Sequence, residues 1–131
     1  MTSTPLTKIL YAEDEDDIRE IAVLAIETIG GFEIATCSSG GEVLALAQQF
    51  QPQIILLDVM MPIMDGPTTL LALKEHPQLQ HIPVVFLTAK IMNDEINRFK
   101  NMGAIDVIAK PFDAMTLSAQ IQTIWNNHHG E

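Results

Sequence analysis

Basic residues are scarce: seven Lys and Arg stand against seventeen Asp and Glu, a net charge of −10 over 131 residues. Such a balance repels phosphate backbones and anionic lipid surfaces, so direct nucleic-acid binding is not expected. Cysteine is nearly missing. Cys37 alone cannot form an internal disulfide, and nothing asks for an oxidising compartment, so a cytoplasmic setting is expected. Met1-Thr2-Ser3-Thr4-Pro5 has no basic segment leading into an apolar one, and the first apolar run is far too short to cross a bilayer. Neither a leader nor membrane insertion is expected. Without repeats or a Pro/Gly/Ser-rich linker, the expected organisation is one domain over 6–126, a flexible N-terminus at 1–5 and a C-terminal tail at 127–131. No G-x-x-x-x-G-K-[ST] loop or G-x-G-x-x-G fingerprint occurs, which argues against nucleotide and flavin binding.

What is there is a fivefold alternation of short apolar runs with helical patterns, the signature of an α/β fold with a parallel sheet. Ile9 to Ala12 is followed by Ile18, Ile21, Ala22, Ala25 and Ile29 at helical spacing, stopped by Gly30-Gly31. Phe32 to Cys37 leads to a helix facing inward through Val43, Leu46, Ala47 and Phe50. Ile54-Ile55-Leu56-Leu57 is apolar throughout, as a strand covered on both faces must be, and ends at Asp58. A loop from Met60 to Gly66 enters a third helix carrying Leu70, Leu71 and Leu73. Pro83 to Leu87 ends at Thr88, and Ile96, Phe99 and Met102 mark the next helix, closed by Gly103. Val107 to Ala109 ends at Lys110-Pro111, and a last helix is expected from an N-cap near Asp113, burying Leu117, Ile121, Ile124 and Trp125.

In an open parallel sheet, the carboxyl ends of the strands form the binding crevice. Four runs end there in polar residues of different kinds: Glu13-Asp14, Asp58, Thr88 and Lys110. Three gathered carboxylates repel one another unless a cation intervenes. Mg2+ takes oxygen ligands, commonly one or two carboxylates with a phosphate oxygen. Asp58, one or both of Glu13 and Asp14, and the backbone carbonyl of Met60 are the expected ligand set, for Mg2+ or alternatively Mn2+. Carboxylates form acyl phosphates, and phosphoryl transfer asks a protein mainly for positioning and charge neutralisation. Lys110 offers a second positive charge. Thr88 would hydrogen-bond a phosphoryl group on Asp58, a contact present only in the loaded state.

This ordered set, with Met61-Pro62 and Asp65-Gly66 after Asp58, Ala89 after Thr88, and Pro111-Phe112 after Lys110, resembles the response-regulator receiver family over nearly the whole chain. The resemblance implies a flavodoxin-like fold: a doubly wound five-stranded parallel sheet of order 2-1-3-4-5 with five helices in a three-layer sandwich. It also implies Mg2+-dependent phosphorylation of Asp58 by a histidine kinase or phosphotransfer protein, a readout through an output protein, and a cis bond between Lys110 and Pro111. Separate substrate turnover is not implied. Met60 and Lys90 sit where the family tunes hydrolysis of the phosphoryl group. One position departs from the pattern: many members carry an aromatic residue three places before the lysine, and here that place holds Val107.

Two other functions fit parts of the pattern. A phosphorylation-independent interaction module would keep the fold and lose the switch, as Val107 invites. A phosphate-ester hydrolase with an aspartyl-phosphate intermediate would need a second acid two residues after the nucleophile, where Met60 stands. Glu15, Asp16 and Asp17 are explained by a helix N-terminus alone. Ser38-Ser39-Gly40-Gly41 reads as a cap and turn, and Met60, Met61 and Met64 as loop packing.

Overall fold

The computed structural model describes residues 5–89 and 92–128. Of the expected flexible N-terminus only Pro5 is described; Lys90 and tail residues 129–131 lie outside the described residues. Five parallel strands, β1 (Lys8–Ala12), β2 (Glu33–Cys37), β3 (Ile54–Asp58), β4 (Val84–Thr88) and β5 (Asp106–Ala109), are ordered β2-β1-β3-β4-β5. The helices are α1 (Asp16–Val23, continued by a π-helical segment, Leu24–Ile29), α2 (Val43–Phe50), α3 (Gly66–Glu75), α4 (Asn93–Met102) and α5 (Leu117–His128). This is the flavodoxin-like arrangement expected.

The two-residue period of each strand sorts its side chains into two cores. Leu10, Ile55, Leu57, Val84 and Phe86 face a layer holding Val43 and Ala47 of α2, Leu70 and Leu73 of α3 and Phe99 of α4. Ile9, Tyr11, Ile54, Leu56, Val85 and Leu87 face the opposite layer, with Ala22 and Ile26 from the α1 stretch and Ile121, Ile124 and Trp125 of α5. β3 and β4 are buried over their full length. Each of their large apolar side chains contributes roughly 1.5–3 kcal/mol by leaving water.

Three local expectations change. Ile21 and Ile29, placed on the inner face of the first helix by spacing, are 46% and 42% exposed, while Ala22, Ala25 and Ile26 are buried. From Leu24 onward the π-segment turns through a smaller angle per residue than an α-helix, so Ile29 falls out of phase with the inner stripe. Leu71 is also exposed, because α3 faces inward through Leu70 and Leu73, three residues apart on one side. The last helix begins as a regular α-helix at Leu117, not near Asp113. Asp113 instead organises a preceding turn, its side chain accepting from the Met115 amide at 2.8 Å and its carbonyl from the Leu117 amide at 2.9 Å.

Candidate functional site

The sheet order reverses between β1 and β3, and a crevice opens at the carboxyl ends of strands at such a switch point. Register brings the polar strand ends together there. Ala12 lies opposite Leu57, so Glu13 follows beside Asp58. Asp58 is opposite Leu87, one residue before Thr88, and Thr88 is opposite Ala109, one residue before Lys110. The ladder carries on past the strand ends, with the Val59 amide donating to Leu87 and the Lys110 amide to Thr88. Four polar side chains far apart in sequence are thereby fixed by backbone pairing.

Glu13, Asp14 and Asp58 each bring a carboxylate oxygen within 4.8 Å of the others. Lys110 Nζ lies 3.0 Å from Glu13 Oε1 and 3.3 Å from Asp58 Oδ1. The Lys110–Pro111 peptide bond is cis. Glu13 is fully buried and Asp58 is 3% exposed, whereas Asp14 is half-buried at the rim.

Charge balance follows from those positions. Burial, and then the neighbouring Glu13 carboxylate, push Asp58 up to about 7, with Lys110 opposing the shift. For Glu13, burial alone would raise the pKa, but hydrogen bonds from Tyr11, Lys110 and Asp58 hold it below the usual carboxylate range. Burial works against the Lys110 ammonium, yet its contacts with Glu13 and Asp58 hold its pKa above the ordinary lysine value. Without a metal one ammonium does not fully offset the paired carboxylates, and Asp58 holds its proton to higher pH than an ordinary aspartate does. Its donors are hard oxygens, and a hard divalent cation such as Mg2+ fits both the chemistry and the charge.

Two members of this network were not singled out from the sequence. The Tyr11 hydroxyl donates to Glu13 Oε1 at 2.7 Å. Arg19 Nη1 donates to the Glu13 carbonyl at 2.8 Å while its other terminal nitrogen pairs with Asp16. The strand period carried the signal for Tyr11, since residues 11 and 13 share a side; nothing in the pattern signalled Arg19.

The loop after Asp58 explains its own residues. Asp65 caps α3, accepting from the Thr68 amide at 2.9 Å, and Pro67 follows in the first turn. Gly66 donates its amide to the Val59 carbonyl. A Cβ on Gly66 would stand 2.7 Å from the Asp58 carbonyl oxygen and 3.0 Å from both the Phe86 ring and Val59 Cα. Gly66→Ala is therefore expected to cost about 1–3 kcal/mol and to slow chemistry at Asp58 by displacing its backbone. A urea midpoint equal to that of wild type would rule out this close packing. The Met60 amide donates to Asp58 Oδ1 at 3.4 Å, and the Met60 side chain is exposed, with no acid in its place.

Thr88 is buried at the end of β4. Val107, on the edge strand β5, is half-buried and packs against the core on the α3–α4 side. Cys37 is buried at the end of β2, and burial pushes its thiol up to about 11, so it is no nucleophile. Among the described residues no helix is long and apolar enough to cross a membrane.

The chain is similar to known proteins in both sequence and fold. A family model described as "Response regulator receiver domain" matches residues 9–122. The chain is 41% identical over 93 residues to response regulator PleD of Caulobacter vibrioides, an overlap covering 71% of this chain and 20% of that protein. It is 35% identical over 119 residues to the probable transcriptional regulator ycf27 of Cyanophora paradoxa, covering 89% of this chain and 47% of that protein. The chain thus spans about a fifth to a half of these relatives. Among solved structures, chemotaxis response regulator CheY4 of Vibrio cholerae superposes with a TM-score of 0.83 at 29% identity, covering 92% of this chain and 99% of that one.

Proposed function

The chain belongs to the response regulator receiver domain family, and on that premise we propose that Asp58 accepts a phosphoryl group from a phosphohistidine on a histidine kinase or phosphotransfer protein. The observation that carries this reading is the convergence of Glu13, Asp14 and Asp58 with Lys110 at the carboxyl ends of β1, β3 and β5.

Asp58 Oδ attacks phosphorus, the P–N bond breaks, and the imidazole leaves. Glu13, Asp14, Asp58 and the Met60 carbonyl would hold Mg2+, which supplies neutralisation of the incoming phosphoryl charge. Lys110, already 3.3 Å from Asp58 Oδ1, is positioned to meet a phosphoryl oxygen as the acyl phosphate forms. Thr88, at the adjacent strand end, supplies a hydroxyl toward the same group.

Readout is where this chain departs from many relatives. Val107 has no ring to swing and no hydroxyl to offer, and its side chain is engaged in the core. The competing reading, a phosphorylation-independent module, predicts labelled protein whose NMR shifts stay confined to the site's own loops.

The direct test is incubation with Mg2+ and a small acyl phosphate. Intact mass is expected to rise by one phosphoryl group, and a wild-type mass that stays unchanged sinks the reading.

A further inference from the structure

We propose that Tyr11 is a positioning residue for the cation: its hydroxyl anchors Glu13 Oε1 and so leaves Oε2 as the oxygen of that carboxylate available to Mg2+. The inference rests on the proposed metal-dependent function and goes beyond it in assigning a role to a residue outside the carboxylate cluster.

Glu13 divides its hydrogen-bond donors unequally between its two oxygens. A carboxylate oxygen accepts about two hydrogen bonds. Glu13 Oε1 already takes two, from the Tyr11 hydroxyl at 2.7 Å and from Lys110 Nζ at 3.0 Å. Oε2 takes the Glu15 amide at 3.3 Å. The carboxylate also shares a hydrogen bond with Asp58, which a cation held between the two acids would replace, so Oε2 keeps capacity for the cation or a water bound to it. Glu13 has no exposed surface, so bulk water cannot replace a lost donor. Losing a hydrogen bond is costly for a buried carboxylate, which is then held only by the donors that remain.

Tyr11 matters most when Lys110 is drawn away. Lys110 Nζ is shared between Glu13 and Asp58, and a phosphoryl group on Asp58 would compete for it. Tyr11 then remains as the side-chain donor that keeps Glu13 in place. It suits that task because its ring is locked between β1 and the α1–α5 layer, fully buried. A rigid donor on a strand holds an oxygen better than a long flexible ammonium does.

Tyr11→Phe removes one hydroxyl and keeps the ring. Titration calorimetry of the full chain with Mg2+ is expected to show about tenfold weaker binding than wild type, in the range for loss of a ligand's supporting partner. The Mg2+ concentration giving half-maximal acyl-phosphate labelling should rise by the same factor, and added Mg2+ should recover the loss. A purely structural role would lower the melting temperature and leave Mg2+ affinity unchanged, and unchanged or tighter affinity overturns the inference. Should the variant fail to fold, the wild type supplies the measurement. Tyr11 is the only tyrosine, so one ζ-carbon label gives a single NMR resonance that must shift on Mg2+ addition with the calorimetric Kd. A resonance that ignores Mg2+ overturns the inference. Wild type that takes up no Mg2+ overturns the proposed function along with it, whereas normal wild-type binding matched by Tyr11→Phe overturns this inference alone.

Discussion

Asp58→Asn is expected to abolish phosphoryl uptake and also to make the metal-free protein more stable than wild type at neutral pH and above. The first effect is all or none, because an amide at this position cannot form the acyl phosphate. The second follows from placing a second carboxylate beside Glu13 in a buried crevice. Burial, then Glu13, raise the Asp58 pKa from 3.8 to about 7. Between those values the folded protein keeps a proton that the unfolded chain has lost, so stability falls as pH rises through the window, and the penalty is complete above it. Asparagine carries no charge and removes the penalty, while Lys110 loses one of its two partners and returns part of the gain. The net effect is on the order of 2 kcal/mol, or roughly 5 °C in Tm, near pH 8. Thermal melts in chelator near pH 5 and pH 8 should show the variant's advantage growing with pH. A variant less stable than wild type at the higher pH contradicts the charge argument.

Lys110→Ala is expected to act in the opposite direction on the fold and in the same direction on the chemistry. Lys110 compensates Glu13 and Asp58 from a mostly buried position, with 15% of its side chain exposed. Removing one partner from a buried pair leaves a charge without compensation, at a cost of about 3–5 kcal/mol in a closed interior. Here Asp58 takes up a proton more readily once the ammonium is gone, so a loss of about 2 kcal/mol is expected near pH 8. Phosphoryl uptake loses a preorganised positive group where charge accumulates, and such losses run to roughly 100-fold in rate. The time course of acyl-phosphate labelling at saturating Mg2+, followed by intact mass, measures this. A rate within a few-fold of wild type would remove Lys110 from the chemistry and leave it as a structural counter-ion.

The two variants separate charge from reactivity. Both lose labelling, but Asp58→Asn gains stability where Lys110→Ala loses it. No common unfolding defect produces that pair of results.

Strand positions were legible because central parallel strands are covered on both faces and must be apolar throughout, as Ile54–Leu57 and Val84–Leu87 are. The strand-end residues were legible for a related reason: a carboxylate after four apolar residues, as at Asp58, is costly unless it has a use. The first helix was read less well. Ile21 and Ile29 satisfy a helical period, but where the helix widens into a π-segment is set by packing against α5, where the buried Ser118 hydroxyl donates to the Ala25 carbonyl at 2.7 Å. α5 starts later than its sequence suggests because Asp113 has the chemistry of a cap and uses it in a turn.

Residue type and order alone therefore determined the fold class, the charge of the crevice and which side chains end the strands, since each depends on local hydrophobicity and on chemistry that travels with the residue. Tertiary structure decided how those side chains share one another's charge. Glu13 and Lys110 are 97 residues apart and meet at 3.0 Å only through the register of neighbouring strands. Tyr11 became part of the site in the same way. Its position in the sequence put it on the side of Glu13, but only the packed layer of α1 and α5 fixed its hydroxyl on Oε1 rather than elsewhere in the core. Hydrogen-bond partners depend on distances of a few tenths of an ångström, and those are set by the whole packed chain rather than by any segment of it.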